Sequence, residues 1–179
     1  MEDMESRFII SVNFRETEVM ARNQDDIIWR GVIRRGGVDW EFQLKEYLRT
    51  KHNLLVGRQY LKKLILDIGS LSEPGTLVVR GRNLTTDLLA AQEITCFQVS
   101  EALDLEIQSL ISDLTTIFAG RLAQADGMIS YAVPIPPELK PALAYHPIIL
   151  TGEFSKLRGL DQMLQNGLSV NIVSETTNG

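Results

Sequence analysis

Between Ser100 and Gly120 the apolar residues Leu103, Ile107, Leu110, Ile111, Leu114, Ile117 and Phe118 return every three or four positions. At a period of 3.6 residues they line one face of a helix for about five turns. A stripe of that length cannot be left to water, so the rest of the chain has to supply a broad apolar layer for it to lie on. Ser100 reads as the N-cap, with Glu101 and Asp104 in the positive first turn. A stripe this regular is core material and not a cofactor box.

The layer comes from strands. Phe8–Val12, Thr17–Ala21 and Ile27–Arg35 read as three of them, and Asn23-Gln24-Asp25-Asp26 supplies the turn residues of a hairpin. Gly36-Gly37 ends this antiparallel start, and Asp39 caps a helix carrying Trp40, Leu44, Tyr47 and Leu48. After Gly57 a second helical pattern, Leu61, Leu64, Ile65 and Ile68, stops at Gly69. Strand-like stretches follow at Thr76–Val79 and Glu93–Val99. Past a proline-rich segment, Pro147–Thr151 is a short apolar strand of the kind buried on both faces. Ser155 then caps a helix with Leu157, Leu160, Met163 and Leu164 that ends at Gly167, and Leu168–Val173 is the last strand. Strand, helix, strand after an antiparallel start predicts a mixed sheet with helices on its faces.

Composition narrows the function. The 179 residues are 44% hydrophobic and 23% charged with a net charge of −5, which suits one globular domain, or one domain carrying a subdomain. No apolar run approaches the roughly 20 residues of a spanning helix, so membrane insertion is not expected. Met1-Glu2-Asp3-Met4-Glu5 is acidic where a signal peptide is basic, and a cytoplasmic location is expected. With a pI near 5.1 the chain has little electrostatic support for nucleic acid. Arg34-Arg35 and Arg80-Gly81-Arg82 read as solvated strand ends. Cys96 is the single cysteine, in the alternating run Ile94-Thr95-Cys96-Phe97, where a buried strand thiol is expected. His52 and His146 show no metal-ligand spacing, so no metal site is expected.

Four segments, in order, resemble the second half of an actin-fold chain of the bacterial MreB family. Gly36-Gly37 followed by Trp40-Glu41, Tyr47, Arg49, Leu55 and Gly57 is the first. Asp67-Ile68-Gly69-Ser70 is similar to a helix end of that family, and Val79-Arg80-Gly81-Arg82-Asn83-Leu84 to its Val-Arg-Gly-Arg-Asn-Leu strand. Pro136-Pro137-Glu138-Leu139, with Leu150-Thr151-Gly152, Leu157-Arg158, Leu160-Asp161 and Leu164, is the fourth. The resemblance implies an α/β fold: half of an actin-like, ribonuclease-H-like ATPase, with a mixed five-stranded sheet, flanking helices and an inserted smaller subdomain. The large domain would be 1–56 with 125–179, and the insertion 57–124.

The departures from the family carry the functional expectation. Its second phosphate loop is glycine-rich, so that backbone N–H groups approach the phosphates. The aligned residues here are Ser11, Val12, Asn13, Phe14, Arg15 and Glu16, and no glycine lies between Arg7 and Arg30. Lys62 and Ile65 stand where the family places the Glu and Lys that face ribose and base. Gly152, Glu153 and Phe154 replace its adenine turn. The expectation is therefore no catalytic residue, no bound cofactor and no ATPase activity. A non-catalytic interaction or scaffold module would take a protein partner, either another actin-like chain or itself as a homodimer. The alternative is one half of a split ATPase, completed by a partner chain and using ATP and magnesium, in which Arg15 could serve as a phosphate ligand. A nuclease of the same broad topology is disfavoured, because Ser11 stands where its first-strand carboxylate would be.

Overall fold

The computed structural model describes residues 6–68, 75–120 and 128–175. Three antiparallel strands open it: β1 (Ser6–Val12), β2 (Thr17–Asn23) and β3 (Asp26–Ile33). Gln24-Asp25 turns β2 into β3, with Gln24 in the left-handed region at φ 53°. Then come α1 (Gly37–His52), the two-residue β4 (Leu54–Leu55) and α2 (Arg58–Lys63), which runs into a π-helical turn at Leu64–Ile68. The hairpin of β5 (Thr76–Asn83) and β6 (Leu89–Thr95) leads directly into the long α3 (Cys96–Phe118). The remainder is β7 (Ile129–Ala132), α4 (Lys140–Tyr145), β8 (Ile148–Thr151), a 3-10 turn at Glu153–Lys156, α5 (Leu160–Leu168) and β9 (Ile172–Ser174).

These strands form two sheets. The larger has the order β7-β3-β2-β1-β8-β9, with β8 parallel to both β1 and β9. All five expected strands lie in it, and the short β7 is added at the β3 edge. The smaller is β4-β5-β6, antiparallel throughout. Leu103, Ile107, Leu110, Leu114 and Ile117 on α3 are buried, and the helix packs against α1 and α5. The apolar stripe is thus covered largely by two helices and not by strands alone, and its last turn meets the large sheet, where Phe118 lies edge-on to Phe8 of β1.

Several local expectations need correction. α3 begins at Cys96, not Ser100, because Thr95 and Gln98 close a capping box: the Thr95 hydroxyl accepts from Gln98 N–H at 3.1 Å and the Gln98 amide oxygen from Thr95 N–H at 2.9 Å. Cys96 is buried as expected, but on the helix and not in a strand. For α1 the N-cap is Gly36, and Asp39 sits three residues in, accepting from Gly36 N–H at 2.9 Å. Residues 153–156 form a separate turn, and α5 starts only after Gly159 (φ 82°). Gly167 does not end α5 but lies inside it, where a Cβ would sit 2.6 Å from the Ile111 side chain. It is there so that α3 and α5 can touch. The last strand starts at Ile172, four residues later than expected, because Ser169 takes the left-handed turn at φ 55°. The expected helix end at Gly69 lies outside the described residues.

Arg35 is also not a solvated strand end. Its guanidinium donates to Asp113 at 3.1 Å and to Glu106, both on α3, and Gln43 on α1 donates to the second Glu106 oxygen at 3.1 Å. The three charged side chains are only 14%, 12% and 16% exposed. Burial opposes the Arg35 charge, but the hydrogen bonds to Asp113 and Glu106 outweigh it and raise the pKa above its ordinary value. This cluster fastens the end of β3 to the long helix.

Candidate functional site

The loop between β1 and β2, the first turn of α1, α2 and the turn after β8 converge at one end of the large sheet. β1 and β8 are parallel neighbours there, with Ser11 opposite Thr151, so loop 13–16 and Gly152-Glu153-Phe154 leave the sheet side by side. The Cβ of any residue at 152 would lie 2.5 Å from the Val12 carbonyl, and Gly152 adopts φ 95°. Glycine is required on both counts.

Loop 13–16 is closed on itself. Asn13 N–H donates to Glu16 C=O at 3.0 Å, and the Ser11 and Asn13 side chains hydrogen-bond at 3.2 Å. Gly36 lies against this loop so closely that a Cβ would fall 2.5 Å from the Asn13 carbonyl oxygen. The first N–H groups of α1 are then taken by the loop: Gly37 donates to Asn13 C=O at 3.0 Å and Val38 to Phe14 C=O at 2.7 Å. A helix N-terminus is a natural anion site only while those donors are free. Here the chain's own carbonyls occupy them.

Aromatic side chains fill the space above. Phe154 is fully buried, edge-on to Trp40 with ring centroids 5.7 Å apart, and 6.3 Å from the half-buried Phe14 ring. Its ring rests directly on the Gly37 backbone, where a Cβ would have no room. The Arg58 guanidinium lies 4.6 Å from the Phe14 ring centroid and also donates to the buried Glu41 carboxylate at 3.0 Å. Across the gap, Lys62 on α2 forms an ion pair with Glu153. Ile65 is fully buried in the core.

The expected site residues therefore fall into three groups. Ser11, Asn13, Glu16 and Gly152 shape the backbone; Phe14, Phe154, Lys62 and Glu153 bridge the gap; Ile65 belongs to the core and the Arg15 side chain is exposed. Trp40, Glu41 and Arg58 complete the arrangement, and the sequence reading assigned them no part in it. Arg58 carried a usable signal: a cation at the first position of a helix faces the positive end of the dipole, so it needs a partner elsewhere. Among the described residues no group of His, Cys, Asp and Glu is placed to hold a metal ion, and no helix is long and apolar enough to cross a membrane.

A parallel β1–β8–β9 edge on an antiparallel meander, with a three-stranded insertion and a loop pair meeting at the end of the sheet, matches known proteins over its whole length. The profile of MreB/Mbl proteins covers residues 1–178. The chain belongs to the MreB/Mbl family. It is 22% identical over 169 residues to the cell shape-determining protein Mbl of Bacillus cereus, covering 92% of this chain and 46% of that one. To the cell shape-determining protein MreB of Escherichia coli it is 24% identical, covering 92% and 44%. Among solved structures, MreB5 of Spiroplasma citri bound to AMPPNP superposes with a TM-score of 0.77 at 19% identity, covering 96% of this chain and 49% of MreB5. The chain thus spans just under half the length of the MreB and Mbl relatives it matches, and its fold is actin-like.

Proposed function

We propose that this chain is a non-catalytic interaction or scaffold module of the MreB-type cell-shape cytoskeleton, working in the cytoplasm through a protein partner, another actin-like chain or itself. The observation that carries this reading is the filling of the cleft by Phe154. A buried ring seated on Gly37 and against Trp40 leaves no bare backbone for an adenine to lie on. Phosphates fare no better. They would have to displace the Asn13 and Phe14 carbonyls from the α1 amides and would meet Glu153, which Lys62 already engages. The residues present do not fit a nucleotide.

The test is a thermal melt of the chain with ATP and Mg²⁺. A ligand present at its dissociation constant stabilises by only about 0.4 kcal/mol, and one far below it by almost nothing. Millimolar ATP should leave the melting temperature unmoved. A saturable shift at micromolar ATP would overturn the proposal, and a shift that needs an added actin-like chain would favour the split ATPase.

A further inference from the structure

The smaller sheet ends in an open edge. Among the described residues β6 pairs with β5 alone, in continuous register from Leu89 to Thr95. Natural edge strands carry Lys, Pro or a bulge to stop further pairing. The strand Leu89-Ala90-Ala91-Gln92-Glu93-Ile94-Thr95 has none of these, and Glu93 is its one charged residue. Large apolar side chains stand in water at its two ends: Leu88 and Leu89, 68% and 92% exposed, at its start, and Phe97, 76% exposed, just past its finish.

We infer that β6 is a self-association edge that pairs antiparallel with β6 of a second copy of this chain, joining two three-stranded sheets into one. The interaction role proposed above gains a surface and an occupant. A two-fold axis perpendicular to the sheet keeps each face on its own side, so directly opposed residues must belong to the same face. The axis must then pass through a residue. Through Glu93 it would oppose two like charges, and through Ala91 it would set Leu89 against Glu93. Through Gln92, the midpoint, all seven residues overlap. The two Gln92 side chains then meet, and Leu89 faces Thr95 of the copy.

Charge complementarity favours a second copy over a foreign strand. In the Gln92-centred register Glu93 lies opposite Ala91 of the copy, and the neighbour of Ala91 on β5 is the exposed Arg80. Alanine leaves the guanidinium room to reach across one strand to the carboxylate, and symmetry makes the contact twice. The same register sets Phe97 of one copy at the end of the edge where Leu88 of the other begins. One sequence thus carries both halves of its own complement.

Sedimentation of the full chain without nucleotide tests this, so a failure leaves the reading of the cleft standing. The wild type should show a monomer–dimer equilibrium in the micromolar range. R80E alone and E93R alone each place like charges at the contact and should raise the dimer Kd by about tenfold or more. An equimolar mixture of R80E and E93R chains puts opposite charges together at both contacts, so heterodimer affinity should return towards that of the wild type. Restoration by mixing cannot come from a contact within one chain. L89K alters a side chain with little burial to lose, so it should weaken the dimer in a chain that remains folded by circular dichroism. A wild type that stays monomeric throughout, a dimer indifferent to L89K, or a mixture of folded variants no tighter than each alone would overturn the proposal.

Discussion

Loop 13–16 and the β5–β6 hairpin treat their surfaces in opposite ways. Around the loop the polar groups and aromatic rings are satisfied within the chain: the α1 amides bond to Asn13 and Phe14 carbonyls, Phe154 is fully buried, and Lys62 and Glu153 meet across the gap. The hairpin leaves a strand edge unpaired among the described residues and holds Leu88, Leu89 and Val78 in water. Both regions are rich in large apolar side chains. In one they add to the stability of the chain by itself, and in the other they gain nothing until another molecule arrives. Side-chain type alone does not separate a plug from an interface; the surroundings do.

The largest effect should come from the plug. Phe154→Ala removes a fully buried ring that contacts Trp40, Phe14 and the Gly37 backbone, and the loop and helix around it are too tightly hydrogen-bonded to collapse. A loss of about 3–5 kcal/mol is expected from the transfer and cavity terms together. It should appear as a lower urea midpoint with an unchanged slope. A cost below about 1 kcal/mol would mean that Phe154 leaves the cleft readily, and the contrast with the hairpin would fail.

Next is the charged fastening behind the plug. Arg35→Ala leaves the Glu106 and Asp113 carboxylates largely buried and without their cation. Breaking a buried pair from one side costs about 3–5 kcal/mol. Partial exposure here brings the expected loss down to about 2 kcal/mol. The same midpoint measurement reads it, and a neutral result would show that α3 is held by its apolar stripe alone.

A smaller effect lies where α1 meets α3, between the two regions. Tyr47 donates its hydroxyl to Glu101 at 2.8 Å. Burial, with that hydrogen bond, pushes its phenol from the ordinary 10.0 up to about 12. The folded chain therefore keeps a proton that the unfolded chain releases first. The contribution is fully present below pH 10 and is lost as pH rises through the window from 10 to about 12. Tyr47→Phe should flatten the decline of stability across that window, measured by denaturation at stepped pH. An identical decline in the variant would remove Tyr47 from the account.

How legible these regions were follows from what each depends on. The α3 stripe and the three opening strands are periodic, and periodicity is local, so they could be read directly. The start of α3 was misplaced because Ser100 looks like a cap, while the Thr95–Gln98 box that wins is a pair of reciprocal hydrogen bonds. Arg35 was misread because its partners lie 71 and 78 residues away, beyond any local pattern. That no glycine lies between Arg7 and Arg30 was visible in the sequence, since residue type is a fact about single positions. That Phe14 would meet Phe154 was not, because it depends on β1 and β8 lying side by side, and neither was the Arg58 guanidinium over Phe14.

The smallest effect is the one that isolates the comparison. Leu89 is as apolar a residue as any in the core, yet it is 92% exposed on a strand edge. Apolar stabilisation scales with area taken out of water, at roughly 25 cal/mol per Å². Leu89 in the monomer has withdrawn almost none, so Leu89→Lys should change monomer stability by no more than about 0.5 kcal/mol. Chemical denaturation at a protein concentration low enough to exclude dimers measures it. The contrast with Phe154→Ala then turns chiefly on burial: each substitution removes a large apolar group, one from the core and one from water, and the ammonium that Lys adds at an exposed position stays solvated. A loss of about 2 kcal/mol or more for L89K would mean that Leu89 is covered within the single chain. The hairpin edge would then be a closed part of the fold like the cleft, and no longer its opposite.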